Sequence, residues 1–329
     1  MIAWERLRNP ILSYVNVAAK DMTLVRHDGR WHLFFSAIDL DGHWSIGRAT
    51  SLDLASWSDP PELWPDQPGT LGLASPEIVR DPDGVYVAVY QSQPGECTGE
   101  SKLYYRRSLD LAAWSAARPL GWDLHPGRQE RMIDAAVAWT DSGLLLGYKL
   151  GLKDGERQHF ELARSRSGGL DGPWELLGRP RIEVYRDTVE NYQFLSVDGA
   201  WHLLATSNSL NRPWLFRRAV GTTGDADGAG WLDWEDGSEL EVPVETWNTR
   251  PGGISGWDYE QANCAYLYDA RGFDGHFYLF YAGSTELDTF DGWGHARIGV
   301  ARSTDLYRWE VPSPPIPTAS PRSPVQGEG

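Results

Sequence analysis

The sequence is poor in the residues that mark a disulfide scaffold, a zinc cluster or a nucleic-acid-binding surface. Two cysteines in 329 residues are too few for a disulfide framework, and no cysteine and histidine spacing indicates zinc. Positive charge is also scarce, because 46 acidic residues against 30 Lys and Arg give a formal net charge of -16. Nucleic acids and anionic membranes bind basic surfaces, so we expect neither as a partner.

Long apolar runs are absent as well. No stretch approaches the length of a membrane-spanning helix, and the N-terminus lacks the basic region and apolar core of a secretory leader. The sequence as given therefore predicts a cytoplasmic protein. At the other end, residues 311–329 carry six prolines and no apolar period, which predicts a disordered tail.

The chain is instead rich in aromatic residues and in turns of the Asp-Gly type. Five such turns follow one another at intervals of about 55, 58, 57 and 76 residues. They are Asp28-Gly29, Asp83-Gly84, Asp141-Ser142-Gly143, Asp198-Gly199 and Asp274-Gly275. An Asp-Gly pair between strands rich in Val, Tyr, Phe and Trp favours a hairpin turn with positive φ at both central residues. Each repeat is therefore expected to open with a β-hairpin.

Each repeat continues with a third strand and a turn that ends in Trp. The third strands are predicted at 46–50, 103–107 and 298–302, and the Trp endings are Trp57, Trp114 and Trp309. A unit of about four strands cannot cover its own two faces, so repeats of this kind pack radially. The predicted fold is all-β, a five-bladed β-propeller with about four antiparallel strands per blade. It spans residues 20–310, with 1–19 as a lead-in segment and 311–329 as the tail.

Most Trp side chains are expected to pack between blades. Only a Trp on a loop above the channel would present a flat surface to a sugar ring. Trp44 and Trp257 are the two candidates for such a position.

Three carboxylates stand at nearly the same place before their turns. Asp21 and Asp134 lie seven residues before Asp28 and Asp141, and Glu190 lies eight residues before Asp198. The innermost strands of a propeller line its channel, so these acids are expected to converge in one cavity. Repulsion there keeps one carboxyl group protonated while another is ionised, as glycosidic hydrolysis requires. The alternative is that the acids cap loops or bind a structural cation.

The segments around these acids resemble a known group of enzymes. Lys20–Val25, Met132–Ala135 and Val189–Phe194 are similar to the three signatures of glycoside hydrolase families 43 and 62. Those families are five-bladed propellers, mostly α-L-arabinofuranosidases, β-xylosidases and arabinanases. The resemblance implies an inverting glycosidase, which we expect to be exo-acting on short pentose-containing oligosaccharides.

The resemblance also implies a role for each acid. Asp21 would be the general base that activates water, and Glu190 the general acid that protonates the leaving oxygen. Asp134 would orient the acid and tune its pKa. An inverting pair of carboxyl groups stands about 6.5–9.5 Å apart, which leaves room for the water.

Four further residues are candidate substrate-binding residues. Lys20 adjoins the expected base and is a candidate hydrogen-bond donor to substrate, and Glu77 either contacts sugar hydroxyls or caps a strand. In the fifth repeat, Gln261 and Asn263 stand with Cys264 where many relatives place a His beside a central calcium ion or water cluster. No cofactor or metal is therefore predicted, and an oligosaccharide is the expected partner. Nothing in the sequence indicates the oligomeric state.

The sequence leaves three alternatives to a pentose-specific glycosidase. Arg80-Asp81-Pro82 and Glu96-Cys97 resemble motifs of β-fructosidases, although the first adjoins a hairpin turn and the second lies in a loop. A galactoside-cleaving enzyme is the second alternative. The third is a propeller that binds sugar without catalysis, because a fold alone does not establish chemistry.

Overall fold

The protein forms a ring of antiparallel sheets. The computed structural model describes residues 2–93, 100–126, 130–152, 158–182, 184, 188–207, 211–218, 229–243, 245–250, 259–260, 262–285, 289–290 and 292–312. Most of the predicted tail, along with Gln261, Trp257 and Glu96-Cys97, lies outside these residues. No helix in the described ranges is long and apolar enough to cross a membrane.

Four blades have four strands each, paired in sequence order from the innermost strand outwards. Blade 1 comprises β1 (Val17–His27), β2 (Arg30–Asp39), β3 (Trp44–Ser51) and β4 (Glu62–Leu63). Blade 2 comprises β5 (Leu73–Arg80), β6 (Tyr86–Ser92), β7 (Leu103–Ser108) and β8 (Arg118–Pro119). Blade 3 comprises β9 (Glu130–Thr140), β10 (Gly143–Leu152), β11 (His159–Ser165) and β12 (Trp174–Gly178). Blade 4 comprises β13 (Val189–Val197), β14 (Ala200–Ser207), β15 (Pro213–Arg217) and β16 (Ser238–Glu239).

Blade 5 is built differently. A two-stranded ribbon, β17 (Thr249–Arg250) and β18 (Tyr259–Glu260), precedes β19 (Asn263–Asp269), β20 (Phe277–Gly283) and β21 (Arg297–Ser303). The helical segments are short: α1 (Arg271–Asp274) and 3-10 turns at Trp4–Arg6, Ala229–Leu232 and Thr246–Asn248. Five blades confirm the predicted fold class. The expected fourth strand is absent from the described sheet of blade 5, where the N-terminal segment forms a bridge between Leu12 and Ile298 instead.

The predicted turn chemistry holds fully in two blades. Both central residues have positive φ at Asp28-Gly29 (48° and 75°) and at Asp198-Gly199 (51° and 77°). In blade 5 the prediction of a tight hairpin was wrong, because α1 lies between the two strands. Gly275, with φ of 82°, ends that helix in the left-handed conformation that glycine adopts at little cost.

Every blade carries a β-bulge on its innermost strand. The strand pairing shifts register at this point in all five sheets. One residue in each bulge has a left-handed backbone: Asp21 (φ 50°), Ser75 (48°), Asp134 (54°), Asn191 (53°) and Cys264 (52°). Positive φ is uncommon outside glycine, so its recurrence at one position per blade marks a shared feature of the fold.

In blades 1, 2 and 4, the side chain two residues after the bulge residue hydrogen-bonds to the backbone of the next blade. Thr23 Oγ1 accepts from the Ile78 amide (3.3 Å), Glu77 Oε2 accepts from the Val137 amide (2.8 Å), and Gln193 bonds to both the amide and the carbonyl of Leu267 (2.8 and 2.9 Å). These clasps satisfy backbone groups of neighbouring inner strands, each of which lies at the edge of its described sheet. They also hold neighbouring blades at a fixed distance.

The Gln193 clasp provides a test of this connection between blades. Gln193→Met would leave the amide and carbonyl of Leu267 buried without partners, each at a cost of about 1–3 kcal/mol. We expect urea unfolding to show a loss of about 2–5 kcal/mol in the free energy of unfolding. The control is Leu109→Ala, at a side chain that is 76% exposed, with an expected change within about 0.5 kcal/mol. Equal stability of Gln193→Met and wild type would contradict the structural role of the clasp.

Candidate active site

A cavity of about 460 Å³ lies on the propeller axis. All five blades contribute to its lining, which includes Asp21, Ser75, Asp134, Asn191 and Asn263. Four of these are bulge residues, and Asn263 directly precedes the bulge residue Cys264. Most of the lining is polar, as expected of a site for a hydroxyl-rich ligand.

The three predicted acids meet in this cavity. Asp21 and Asp134 are bulge residues and are 6% and 7% exposed. Glu190 lies one residue before the bulge, and its side chain is 19% exposed. This offset explains its spacing of eight, because Asn191 is the residue that stands seven before Asp198 and takes the bulge position.

Asn191 connects two of the acids. Its side-chain nitrogen Nδ2 lies 3.1 Å from Oδ1 of Asp21 and 3.5 Å from Oδ1 of Asp134. Ser75 donates to the same Asp134 oxygen at 3.1 Å, and the Asp134 amide donates to Oε1 of Gln91 at 2.7 Å. Asp21, Ser75, Asp134 and Asn191, the bulge residues of blades 1 to 4, therefore belong to one hydrogen-bonded group.

The environment of Asp134 raises its proton affinity. Burial, followed by the negative charge of Glu190, raises the pKa of Asp134 to about 6, against an opposing effect of Lys149. At neutral pH a fraction of the protein therefore carries a proton on this group. A carboxyl group with this property next to a second acid fits a role in acid–base chemistry.

Two lysines lie against the other acids. Lys20 Nζ is 3.6 Å from Oδ1 of Asp21, and Lys149 Nζ is 2.6 Å from Oε2 of Glu190. Burial opposes the charge of Lys20, but the carboxylates around it, with Asp21 foremost, hold the pKa of Lys20 above its usual range. Lys149 was not predicted from the sequence. In the sequence, Lys149 differs from its neighbours only as a charged residue within the apolar run that forms β10.

Two tryptophans form one wall of the cavity. Their ring centroids are 5.0 Å apart, and the Lys20 ammonium group lies 5.6 Å from the ring of Trp44 and 5.8 Å from that of Trp293. Trp44, a sequence candidate, lines the cavity but is only 8% exposed, whereas Trp293 is 50% exposed. The accessible flat surface is therefore Trp293, which sequence reasoning missed.

The remaining predicted residues occupy different places. Asn263 lines the cavity, and its side-chain oxygen accepts from the Cys264 amide at 2.8 Å. Glu77 lies deeper in the channel, beside a smaller cavity of about 30 Å³, and its substrate-binding role stays a prediction. Burial raises the pKa of Glu77 to about 8, against the opposing hydrogen bond from Val137.

Two other features bear on the alternatives. Within the described ranges, no group of three or more His, Cys, Asp and Glu residues is arranged to hold a metal ion. Asp81 of the Arg80-Asp81-Pro82 motif accepts from the amides of Asp83 and Val85 and from the Arg107 side chain. That motif therefore shapes a hairpin turn away from the cavity.

Comparison with known proteins places the fold. The chain matches no protein-family model and no curated protein. Among solved structures, it is similar to an α-L-arabinofuranosidase from Lactobacillus brevis, with a TM-score of 0.64, 14% identity and coverage of 94% of this chain and 97% of that one. The chain shares the fold of family 43 propellers. A thermostable family-43 glycoside hydrolase has a TM-score of 0.60 at 14% identity, covering 94% and 96% of the two chains.

A third similar structure is the family 43 endo-arabinanase from Bacillus licheniformis. Its TM-score is 0.56 at 13% identity, with coverage of 88% of this chain and 95% of that one. The similarity extends over nearly the whole propeller in all three cases, which confirms the resemblance in fold that the sequence motifs indicate. Identity of 13–14% establishes a common fold, and the chemistry depends on the residues of the site.

The buried acid Glu77 generates a prediction about stability and pH. The pKa of Glu77 is about 8 in the folded protein and 4.5 for a glutamate in an unfolded chain, so the folded state binds more protons than the unfolded state between these two pH values. Stability contributed by this group therefore falls as pH rises through that window. Glu77→Gln keeps an acceptor for the Val137 amide and removes the titration.

We expect Glu77→Gln to gain more than about 1 kcal/mol of stability relative to wild type between pH 5 and pH 9. Thermal unfolding of both proteins at several pH values measures this difference. Asp28→Asn, at an exposed turn of blade 1, is the control and should show no such trend. A difference between Glu77→Gln and wild type that stays constant with pH would contradict the assigned protonation.

Proposed function

We propose that this protein is an inverting glycoside hydrolase. The observation that carries the proposal is the convergence of Asp21, Asp134 and Glu190, from blades 1, 3 and 4, on one axial cavity. Structures with the same fold include enzymes described as glycoside hydrolases, which supports the same reaction class here. A role in blade packing alone would not require three acids to face one polar cavity.

The roles are those implied by the resemblance of the three motifs to glycoside hydrolase families 43 and 62. Asp21 takes a proton from water as the water oxygen bonds to the anomeric carbon. At the same time the glycosidic bond breaks, and Glu190 gives its proton to the departing oxygen. Asp134, held by Asn191 and Ser75, faces both groups, and its charge favours the protonated form of Glu190.

For the substrate we propose the non-reducing end of a short pentose-containing oligosaccharide, with an α-L-arabinofuranoside ahead of a β-xyloside. The cavity volume of about 460 Å³ lies in the range of sites for small ligands, which supports exo action. The arabinofuranosidase and arabinanase among the similar structures support the choice of sugar. Trp293 offers an exposed ring on which a sugar can stack.

A sugar-binding protein without catalysis is the second candidate, and one contact favours it. Lys149 lies 2.6 Å from Glu190 and stabilises the ionised carboxylate, which cannot donate a proton. Calorimetry distinguishes the two functions. Heat of binding from an arabino-oligosaccharide that is unchanged after long incubation would support the binding protein.

The first experiment is a panel of aryl glycosides containing α-L-arabinofuranosides, β-xylosides, β-fructosides and galactosides. We expect release from a pentoside by the wild type. Glu190→Gln and Asp21→Asn should each lower kcat by about 10²–10⁴-fold, because proton transfer contributes about that much to the rate. Asp28→Asn, the same change at an 89% exposed turn residue of the same blade, should leave the rate unchanged.

Two outcomes would contradict this assignment. Full activity in either acid variant would remove the role given to that residue. Release from a fructoside or galactoside, lost in Glu190→Gln, would keep the reaction class but replace the pentose substrate.

The exposed ring of Trp293 gives a separate prediction about binding. Trp293→Ala removes a stacking surface, so KM should rise about 2–10-fold while kcat changes little, since stacking is worth about 0.5–1.5 kcal/mol. Trp122→Ala is the matched control, because Trp122 is 45% exposed and does not line the cavity. An unchanged KM in Trp293→Ala would place the sugar elsewhere in the cavity.

A further inference from the structure

A buried lysine inside an apolar strand has no evident role in packing. Lys149 lies in β10 between Tyr148 and Leu150, and its side chain is 2% exposed. Burial of an ammonium group costs several kcal/mol unless a partner of opposite charge compensates for it. The partner is Glu190 of the next blade, whose carboxylate oxygen is 2.6 Å away.

The equivalent positions in the preceding blades show what the fold itself requires here. Ser36 in blade 1 and Gln91 in blade 2 pair with the residue just before each bulge, as Lys149 does with Ile133. Both accept a hydrogen bond from a bulge amide of the next blade, at 2.8 Å from Ser75 and 2.7 Å from Asp134.

An ammonium group cannot take over that function, because it has no lone pair with which to accept. In blade 3 the position therefore serves the carboxylate of Glu190 rather than the backbone of blade 4. A cation thus replaces a neutral acceptor in blade 3, the blade next to the one that carries the proposed general acid.

The charges around Glu190 explain why a cation matters at this point. The negative groups that share the cavity with it are Asp134 of β9 and Asp21 of β1, and the positive groups are Lys20 of β1 and Lys149 of β10. The other titratable groups that face it are Cys264 of β19 and Tyr192 of β13. Among the described residues, Lys149 is the cation within 4 Å of this carboxylate.

We propose that Lys149 is a positioning residue for Glu190: its ammonium group fixes the direction of the carboxyl group and sets the pH range in which that group carries its proton. This inference rests on the proposed function, in which Glu190 protonates the leaving oxygen. In that reaction the lysine also stabilises the carboxylate that remains after proton transfer. The same contact that favours a binding protein thus has a place in catalysis.

The test is the pH dependence of kcat/KM for wild type, Lys149→Met and Lys149→Arg. Without the cation, Glu190 holds its proton to higher pH, so the alkaline limb of the Lys149→Met profile should move up. The expected shift is about 1–3 pH units, the effect of an opposite charge at this distance. Lys149→Arg retains the charge and should keep the limb near its wild-type position. An unmoved alkaline limb in Lys149→Met would overturn the inference.

Lys20→Met is the matched control, because it removes the lysine beside Asp21 and leaves Lys149 in place. It should move the acidic limb upward, since Asp21 as the base must be ionised, and leave the alkaline limb near wild type. If Lys149→Met moves the same limb as Lys20→Met, the lysine acts on the whole cavity and the specific pairing with Glu190 is wrong.

A measurement that needs no substrate separates this inference from the proposed function. In Lys149→Met the ionised Glu190 loses its partner, so the stability of the variant relative to wild type should fall as pH rises from about 4 to 8. A difference that does not vary with pH would overturn the pairing. If the wild type hydrolyses no glycoside of the panel but the stability difference still varies with pH, the catalytic role of Lys149 is wrong and the ion pair is confirmed.

Discussion

The left-handed β-bulge on each inner strand is the constraint on which the site depends. A regular strand would continue its pairing to the end and point alternate side chains into the two faces of the blade. The bulge interrupts the pairing, and Asp21, Asp134 and Asn191 turn towards the axis as a result. Polar side chains suit these positions because asparagine and aspartate tolerate positive φ better than most residues. The backbone requirement and the chemistry of the cavity therefore favour the same residue types.

The bulges bring together more negative charge than the interior can hold without compensation. Asp21 and Glu190 each have a lysine within 4 Å, whereas Asp134 is held by the neutral donors Ser75 and Asn191. Burial, followed by the charge of Glu190, raises the pKa of Asp134 to about 6. Two lysines neutralise two of the three carboxylates, so the binding of one proton to the cluster would neutralise the third. A general acid that must carry a proton while the base is ionised needs that arrangement.

The blades could be predicted from short sequence motifs, but the residues that reach the site through long-range packing could not. Asp28-Gly29 and Asp198-Gly199 could be placed because hairpin turns depend on a few neighbouring residues. Asp21 and Asp134 followed from their distance to those turns. Lys149 and Trp293 reach the cavity from a second strand and from a loop of blade 5, so no spacing relates them to the acids. In the sequence, a lysine among leucines indicates a buried charge but does not identify its partner.

Closure of the ring determines whether the acids face one another at all. Asp21 and Glu190 are 169 positions apart in the chain, and no short segment holds them together. Blade 5 is completed by the N-terminal segment, where Leu12 bridges to Ile298 and the Asn9 side chain bonds to both the amide and the carbonyl of Val300, each at 2.9 Å. This contact joins the last blade to the chain that leads into β1, the strand that carries Asp21. An error of about 1 Å in a catalytic geometry is enough to cost a large part of the rate. The position of the proposed base relative to the acid therefore depends on contacts that close the ring, among which those of Asn9 and Leu12 anchor the chain that enters β1.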